Sequence, residues 1–317
     1  MIVILSPCSL PEGERDEGSL REFYFKNDEE SLHPEPETVK GKGTLYVVAT
    51  PIGNLRDISL RALDILKSAD IIAAEDTRNT GHLLSHFGIA ARMVALHEHN
   101  EVAAAPGIIN HLRDGKIIAL VSDAGTPGVS DPGAVLVKAV REAGLPVIPI
   151  PGPNAAVCAL SASGVTTPHF LFYGFLPAKP GHRRKELDSL KALPFTLVFY
   201  EAPHRIMETV ADLATVLGED REISFARELT KLFEQIHTCR LGDALNWLEA
   251  DPNRQRGEFV LLLSGAVVVA VAGVSDEARN TLLALMAELP LKQAVKLAAE
   301  ISGEKKNTLY ELALQLK

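Results

Sequence analysis

The arrangement of this chain turns on one stretch, Val121-Ser122-Asp123-Ala124-Gly125-Thr126-Pro127-Gly128-Val129-Ser130-Asp131-Pro132-Gly133. It follows an apolar run at 117–121 that reads as a buried strand, and it precedes a helical pattern over 134–143. Three glycines and two prolines impose an irregular backbone and strip away side chains, so that a ligand can lie against main-chain N–H and C=O groups. Asp123, Thr126 and Ser130 are the polar side chains left to orient it. In an open α/β sheet, ligands sit in the loops beyond the carboxyl ends of the strands. A tight structural turn is the competing reading.

Working outward, the same alternation of apolar run, polar loop and helix recurs on both sides. Residues 45–49 form a strand that turns through Thr50-Pro51-Ile52-Gly53-Asn54-Leu55 into a helix capped by Asp57 or Ser59. A strand at 71–74 ends in Glu75-Asp76-Thr77-Arg78. A helix near 80–87, a strand at 93–96 and a helix near 102–112 follow. The strand at 146–150 runs into Pro151-Gly152-Pro153-Asn154 and a small-residue helix to Ser163. This order predicts α/β architecture with a doubly wound, mostly parallel sheet over 44–163.

The chain restarts at 164. Strands at 170–175, 196–200, 222–226, 235–240 and 258–263, with helices to 217 and from 243, predict a second α/β domain over 164–266, with more antiparallel character. Residues 176–185 read as a mobile basic loop. Over 275–317 three helical stripes surround the turn Ser302-Gly303, an order similar to a helix-turn-helix, with a plain helical bundle as the alternative. Residues 1–43 lack sustained periodicity and are expected to form an acidic, disordered extension.

The 317 residues carry 46% hydrophobic side chains, enough for two real cores. No run reaches the ~20 apolar residues of a membrane span, so no membrane partner is expected. Three scattered cysteines without a C-x-x-C pair suit a reducing cytoplasm and speak against disulfide scaffolds and zinc sites. The net charge is −9, but ten acidic against three basic side chains between Glu12 and Glu37 leave only −2 for the rest. The acidic segment does not veto an RNA partner.

Neither a dinucleotide fingerprint nor a Walker loop follows any strand, which excludes a P-loop NTPase and disfavours an NAD enzyme. Backbone-rich Pro/Gly loops with sparse charge suit a polar, zwitterionic ligand such as S-adenosylmethionine. A nest of N–H groups could take its carboxylate, and Asp123 could face its cationic portion.

Seven motifs stand in succession: Thr50-Pro51-Ile52-Gly53-Asn54-Leu55, Ala74-Glu75-Asp76-Thr77-Arg78, Ser122-Asp123-Ala124-Gly125-Thr126-Pro127, Pro151-Gly152-Pro153, Tyr173-Gly174-Phe175-Leu176-Pro177, Phe199-Tyr200-Glu201-Ala202-Pro203-His204-Arg205 and Ala226-Arg227-Glu228-Leu229-Thr230-Lys231. Together, over residues 44–317, they resemble the tetrapyrrole methylase family of S-adenosylmethionine-dependent enzymes. The resemblance implies two α/β domains with the methyl donor in the cleft between them, and a homodimer. Within the family it points to the subgroup that methylates the ribose 2′-OH of a cytidine in the decoding region of 16S rRNA, in the small ribosomal subunit. The family's donor site carries over onto Pro51, Gly53, Asp123, Ala124, Gly125, Thr126, Pro127, Val129, Pro153, Asn154, Tyr200 and Glu258. Departures are the acidic extension and the apolar run at 266–274, where this subgroup is polar.

A ribose hydroxyl is a poor nucleophile, and some group should accept its proton. The candidates are Asp76, Glu201, His204 and Glu228, with Lys231 beside Glu228; a solvated ion pair is the plainer account of the last two. Arg78, Arg205 and Arg227 lie near the same strand ends and, with Arg183, Arg184 and Lys185, are the expected RNA contacts. His97-Glu98-His99 lacks a third ligand and reads as a surface loop, so no metal is expected. Trp247 reads as core. Two other functions stay open: a small-molecule methylase acting on a tetrapyrrole, and a non-catalytic RNA-binding assembly protein built on the terminal helices.

Overall fold

A computed structural model of the chain describes residues 43–266 and 274–316. The acidic extension and most of the apolar 266–274 run lie outside the described residues. The described chain forms two compact units that part at Ala266.

The first sheet of the larger unit is built from β1 (Leu45–Val48), β2 (Ile71–Ala74), β3 (Arg92–Ala95), β4 (Ile118–Val121) and β5 (Val147–Ile150), in the order β3-β2-β4-β1-β5. Every pairing is parallel, with Leu45 opposite both Ile118 and Val147. β2 and β4 are buried along their whole length, as a parallel sheet covered on both faces requires. On one face α1 (Leu60–Ser68) and α2 (Thr77–His86) pack on Tyr46, Val48, Ile72 and Val121. On the other, α3 (Glu101–Arg113) and α4 (Ala134–Glu142) pack on Leu45, Ile71, Ile118 and Leu120. Side chains alternate between faces along each strand, which is the period-2 rule at work. Ser59, not Asp57, caps α1, its side chain accepting from Ala62 N.

The second sheet holds β6 (Phe170–Phe175), β7 (Thr196–Glu201), β8 (Glu222–Arg227), β9 (Gln235–Arg240) and β10 (Phe259–Leu263), in the order β6-β7-β10-β8-β9. Only β6 and β7 run parallel; β10 is antiparallel to both neighbours and β8 to β9. Between Ile150 and Phe170 the chain changes sheets through α5 (Ala155–Ala162). That helix packs Ala156 and Ala159 against Val198, Ala226, Val260 and Leu262 of the second sheet. Ile52 and Leu229, from two turns, join the same cluster. The opposite face is closed by α6 (Pro180–Leu190), α7 (Ile206–Leu217) and α8 (Leu241–Glu249).

The basic segment at 176–185 is not a loop throughout. Pro180, at the first turn where a missing N–H costs nothing, opens α6. Arg183 therefore points inward at 1% exposure, its Nε 2.6 Å from Asp212 Oδ2, and Arg184 Nε takes the other carboxylate oxygen at 2.6 Å. This corrects the expectation of three RNA-contacting cations on a mobile loop: Arg183 is a buried strut between α6 and α7, and Arg184 and Lys185 are exposed.

The smaller unit consists of α9 (Asp276–Glu288), α10 (Leu291–Ser302) and α11 (Lys306–Gln315). Gly303, at φ 73°, ends α10 in the left-handed conformation that glycine adopts without strain. Ala278, Leu282, Val295, Ala298, Leu309 and Leu312 form its own core.

Candidate active site

The carboxyl ends of β1, β4 and β5 carry three loops that are laced together. Thr50 N donates to Gly125 O (2.8 Å) and Gly125 N to Thr50 O (3.0 Å), while Thr50 Oγ1 donates to Ser122 O at 3.0 Å. Thr126 Oγ1 donates to Pro153 O at 3.1 Å. The loop after β4 returns to α4 through Gly133, at φ 127°, where a Cβ would lie 2.8 Å from Leu120 Cδ2. The first turn of α4 is held by Glu101, a buried residue whose Oε1 accepts from the N–H groups of Gly133, Val135 and Leu136 at 2.8–3.0 Å. A carboxylate suits a helix N-terminus, where unpaired N–H groups and the dipole favour negative charge.

The second sheet contributes a strained turn after β8. Glu228 and Thr230 adopt φ of 51° and 65°; with Ser130 at 63° they are the non-glycine residues of positive φ among the described residues. Such conformations cost energy and persist where the surroundings impose them. Glu228 exchanges bonds with Glu258: Glu228 N to Glu258 O at 3.0 Å and Glu258 N to Glu228 Oε1 at 2.9 Å. Lys231 Nζ joins both carboxylates at 3.0 and 2.7 Å. Burial alone would raise the Glu228 pKa, but the bonds from Glu258 N–H and Lys231 hold it below the usual value. Burial works against the charge on Lys231, yet its two carboxylate partners keep its pKa raised.

These loops enclose a cavity of about 490 Å³, within the range of small-ligand sites. Ile52, Ala226, Leu229, Phe259 and Val260 form an apolar wall, and Phe175 and Tyr200 an aromatic one. Their rings meet edge-on at 5.6 Å. The Tyr200 hydroxyl accepts from Ala156 N at 3.2 Å, and burial first of all pushes its pKa up. Ala124, Gly125, Thr126 and Val129 supply the backbone-rich side.

Of the donor-site expectations, the cavity brings together Ala124, Gly125, Thr126, Val129, Asn154, Tyr200 and Glu258. Pro51 and Pro127 are buried, Pro153 braces Thr126, and Gly53 lies under Lys231; these shape the site from behind. Asp123 does not face the cavity. Its carboxylate accepts from Asp76 N (3.1 Å) and Asn79 Nδ2 (2.8 Å), which corrects the expectation that it meets a cationic ligand. The carboxylate that lines the cavity from the same loop is Asp131.

The proposed proton acceptors separate as well. Asp76 caps α2 and pairs with Arg78 at 2.6 Å, whose side-chain hydrogen bond pulls its pKa to about 2. Glu201 reaches the cavity wall, but its side chain has no exposure. It accepts from Thr209 Oγ1 (2.6 Å) and Ala202 N (2.8 Å) and lies 3.4 Å from Arg205 Nε. Arg205 donates to Leu176 O at 2.7 Å, and Arg227 to Arg256 O and Phe233 O at 3.2 and 3.3 Å. Both brace the backbone, in contrast to the expected phosphate contacts. Arg78, Arg184 and Lys185 remain exposed. Among the described residues no group of three or more His, Cys, Asp and Glu could hold a metal. Asp131, Phe175 and Glu101 were missed in the sequence, although Asp131 stands within the central stretch; the Asp-Pro-Gly that brings the loop back to α4 was its one signal.

Comparison with known proteins gives this geometry a family. The family model described as tetrapyrrole (corrin/porphyrin) methylases matches residues 44–245, and one described as the RsmI C-terminal HTH domain matches residues 272–317. The chain is 53% identical over 274 residues to ribosomal RNA small subunit methyltransferase I of Escherichia coli O157:H7, covering 86% of this chain and 96% of that one. It is 50% identical over 286 residues to the protein of the same name from Neisseria meningitidis serogroup B, covering 90% and 98%. Among solved structures, the methyltransferase CobJ aligns with a TM-score of 0.54 at 22% identity, over 71% of this chain and 95% of that one. A uroporphyrin-III C-methyltransferase from Thermus thermophilus, complexed with S-adenyl homocysteine, aligns at 0.51 and 18% identity, over 70% and 97%. The seven loop motifs, the paired sheets and these likenesses agree: the chain belongs to the tetrapyrrole (corrin/porphyrin) methylase family, in its ribosomal RNA small subunit methyltransferase I group.

Proposed function

We propose that this protein methylates ribosomal RNA of the small subunit, using S-adenosylmethionine as donor, and that the acceptor is the ribose 2′-OH of a cytidine in the decoding region of 16S rRNA. The observation that carries this reading is the cavity itself: a backbone-lined loop on one side, an apolar and aromatic wall on the other, and one carboxylate without a cationic partner among the described residues. These residues fit a nucleoside joined to a zwitterionic amino acid, because apolar faces take the base while main-chain N–H groups take the carboxylate of the amino-acid end. The names of relatives about 50% identical over almost their whole length support RNA as acceptor.

The donor supplies an already activated methyl group, so the protein has mainly to position the two reactants. Ala124, Gly125, Thr126 and Val129 hold the donor through the main chain, with Asn154, Tyr200 and Glu258 completing the wall. Pro51, Gly53, Pro127, Pro153 and Asp123 fix the shape of those loops. Glu228 and Lys231 tie the turn after β8 to Glu258 of the cavity wall. Arg78, Arg184 and Lys185 meet phosphates, and residues 275–317 add a second RNA contact to that made by the two α/β domains, 44–163 and 164–266. The protein works as a homodimer in the cytoplasm, as its family membership supports.

The test uses labelled donor with assembled small subunits or free rRNA. Label in an alkali-resistant dinucleotide is expected, because a 2′-O-methyl removes the hydroxyl that alkaline cleavage needs. Label confined to alkali-sensitive linkages would exclude ribose as the acceptor.

A further inference from the structure

Four carboxylates stand at or behind the cavity, and three are already engaged. Glu201 is saturated by Thr209, Ala202 and Arg205. Glu228 and Glu258 share Lys231. Asp131 differs: it lines the cavity, is half-buried, and makes no ion pair with a lysine or arginine among the described residues.

Its position is dictated by the backbone. Ser130, just before it, is held at φ 63°, and Gly133, two residues on, at φ 127°. Gly128 N donates to Pro132 O at 3.1 Å, closing the loop beneath it. Ser130 is itself trapped against β6, where a Cβ on Gly174 would meet Ser130 Oγ at 2.5 Å. A loop that holds a serine at positive φ immediately before one carboxylate is a device for aiming it.

We propose that the Asp131 carboxylate accepts the proton of the acceptor hydroxyl during methyl transfer. The assignment rests on the methyl-transfer reading above and adds to it the group that makes a ribose hydroxyl nucleophilic. The step balances. O2′ gains a bond to the methyl carbon as the carbon–sulfur bond breaks, its electron pair leaving with sulfur. The O2′ proton passes to Asp131, so the sulfonium and carboxylate charges vanish together. Asp131 then returns the proton to solvent.

The groups facing Asp131 suit that role. The carboxyl groups of Glu75 at the end of β2 and Asp123 in the same loop lie near it, the Ser122 hydroxyl donates to it, and the Tyr200 phenol senses its charge across the cavity. Burial first, then the Glu75 charge, push the Asp131 carboxyl up to about 7, against the opposing Ser122 bond. A base poised near the working pH is the efficient one.

The experiment compares wild type with Asp131→Asn and Asp131→Glu in the full chain, with carbon NMR of the Asp131 carboxyl in the free protein. Asp131→Asn is expected to lose about 10²–10⁴-fold in kcat, with donor affinity by calorimetry close to wild type and a melting temperature no lower than wild type, and Asp131→Glu to recover part of the rate. The acid limb of the wild-type kcat/KM profile, falling below about pH 7, is expected to vanish in Asp131→Asn, and the carboxyl signal to titrate in that same range. A carboxyl that titrates in the ordinary aspartate range overturns the assignment. So does an Asp131→Asn variant that keeps its turnover, or one that loses donor affinity while keeping the acid limb, which would make Asp131 a counter-charge only. If wild type labels no ribose at all, the functional reading falls and the assignment with it; if wild type labels ribose and Asp131→Asn does so equally fast, the assignment alone falls.

Discussion

A Cβ on Gly53 would lie 2.5 Å from Lys231 Cγ and 2.8 Å from Thr230 Oγ1, so the turn after β1 and the turn after β8 close on each other only over a glycine. This contact joins the two sheets at the edge of the cavity, and it explains why a loop that also inserts Ile52 into the second sheet's cluster carries a bare backbone at its tip. Gly53→Ala should destabilise the protein by about 1–3 kcal/mol, the usual cost of overpacking, and weaken donor binding. Chemical denaturation and calorimetry read the two effects. Adding Lys231→Ala removes the nearest clashing atom and should restore part of the loss, so the double-mutant cycle should show a coupling.

Arg183 and Arg184 share Asp212 but differ in exposure, 1% against 58% for the side chains. Arg183→Ala leaves Asp212 buried and partly unpaired, at an expected cost of about 3–5 kcal/mol. Arg184→Ala should leave the melting temperature nearly unchanged and lower the salt slope of RNA binding by about 1. Equal effects of the two substitutions on stability would show that the strut is not buried in solution.

The stability of Asp131→Asn relative to wild type should depend on pH. A carboxyl whose folded pKa is raised binds its proton more tightly in the native state than in the unfolded one. Its contribution is therefore fully present below the unfolded value and is lost as pH rises to about 7. Asparagine, which stays neutral, should match wild type in acid and become progressively more stable than it towards pH 8. Parallel melting curves at pH 4, 6 and 8 check the sign.

Glu201 serves as a hub for β7 and α7 because its oxygens are taken by Thr209, Ala202 and Arg205. Glu201→Ala should destabilise by about 3–5 kcal/mol, since it strands a half-buried Arg205. Glu201→Gln, which still accepts hydrogen bonds, should fold and retain most of its turnover. A folded Glu201→Gln variant without turnover would return this residue to the chemistry.

The sequence displayed the first sheet well, because strands such as Ile71–Ala74 and Ile118–Val121 are uninterrupted apolar runs and each is followed by its polar loop. The basic segment misled for a physical reason. Arg183 occupies a core position one turn before Leu187, and a charge there breaks the apolar period; its partner Asp212 sits on another helix, out of sight of any local pattern. The part played by Asp131 was equally hidden. Its carboxylate and that of Asp123 belong to one loop, and which of them meets the cavity depends on dihedrals at Ser130 and Gly133 that composition does not encode. Phe175 escaped because an aromatic in a strand reads as core until its 53% exposure is seen.

Ser130, Glu228 and Thr230 each sit where glycine would be more comfortable, and each adjoins in sequence a residue of the cavity wall, Val129, Asp131 or Leu229. Directed evolution for heat resistance should therefore converge on glycine at Ser130 and Thr230, each gain being roughly 1 kcal/mol, while Glu228 is kept by its bonds to Glu258 N–H and Lys231. The hardened descendants would melt later and methylate more slowly, their reactive groups drifting in loops no longer obliged to point anywhere.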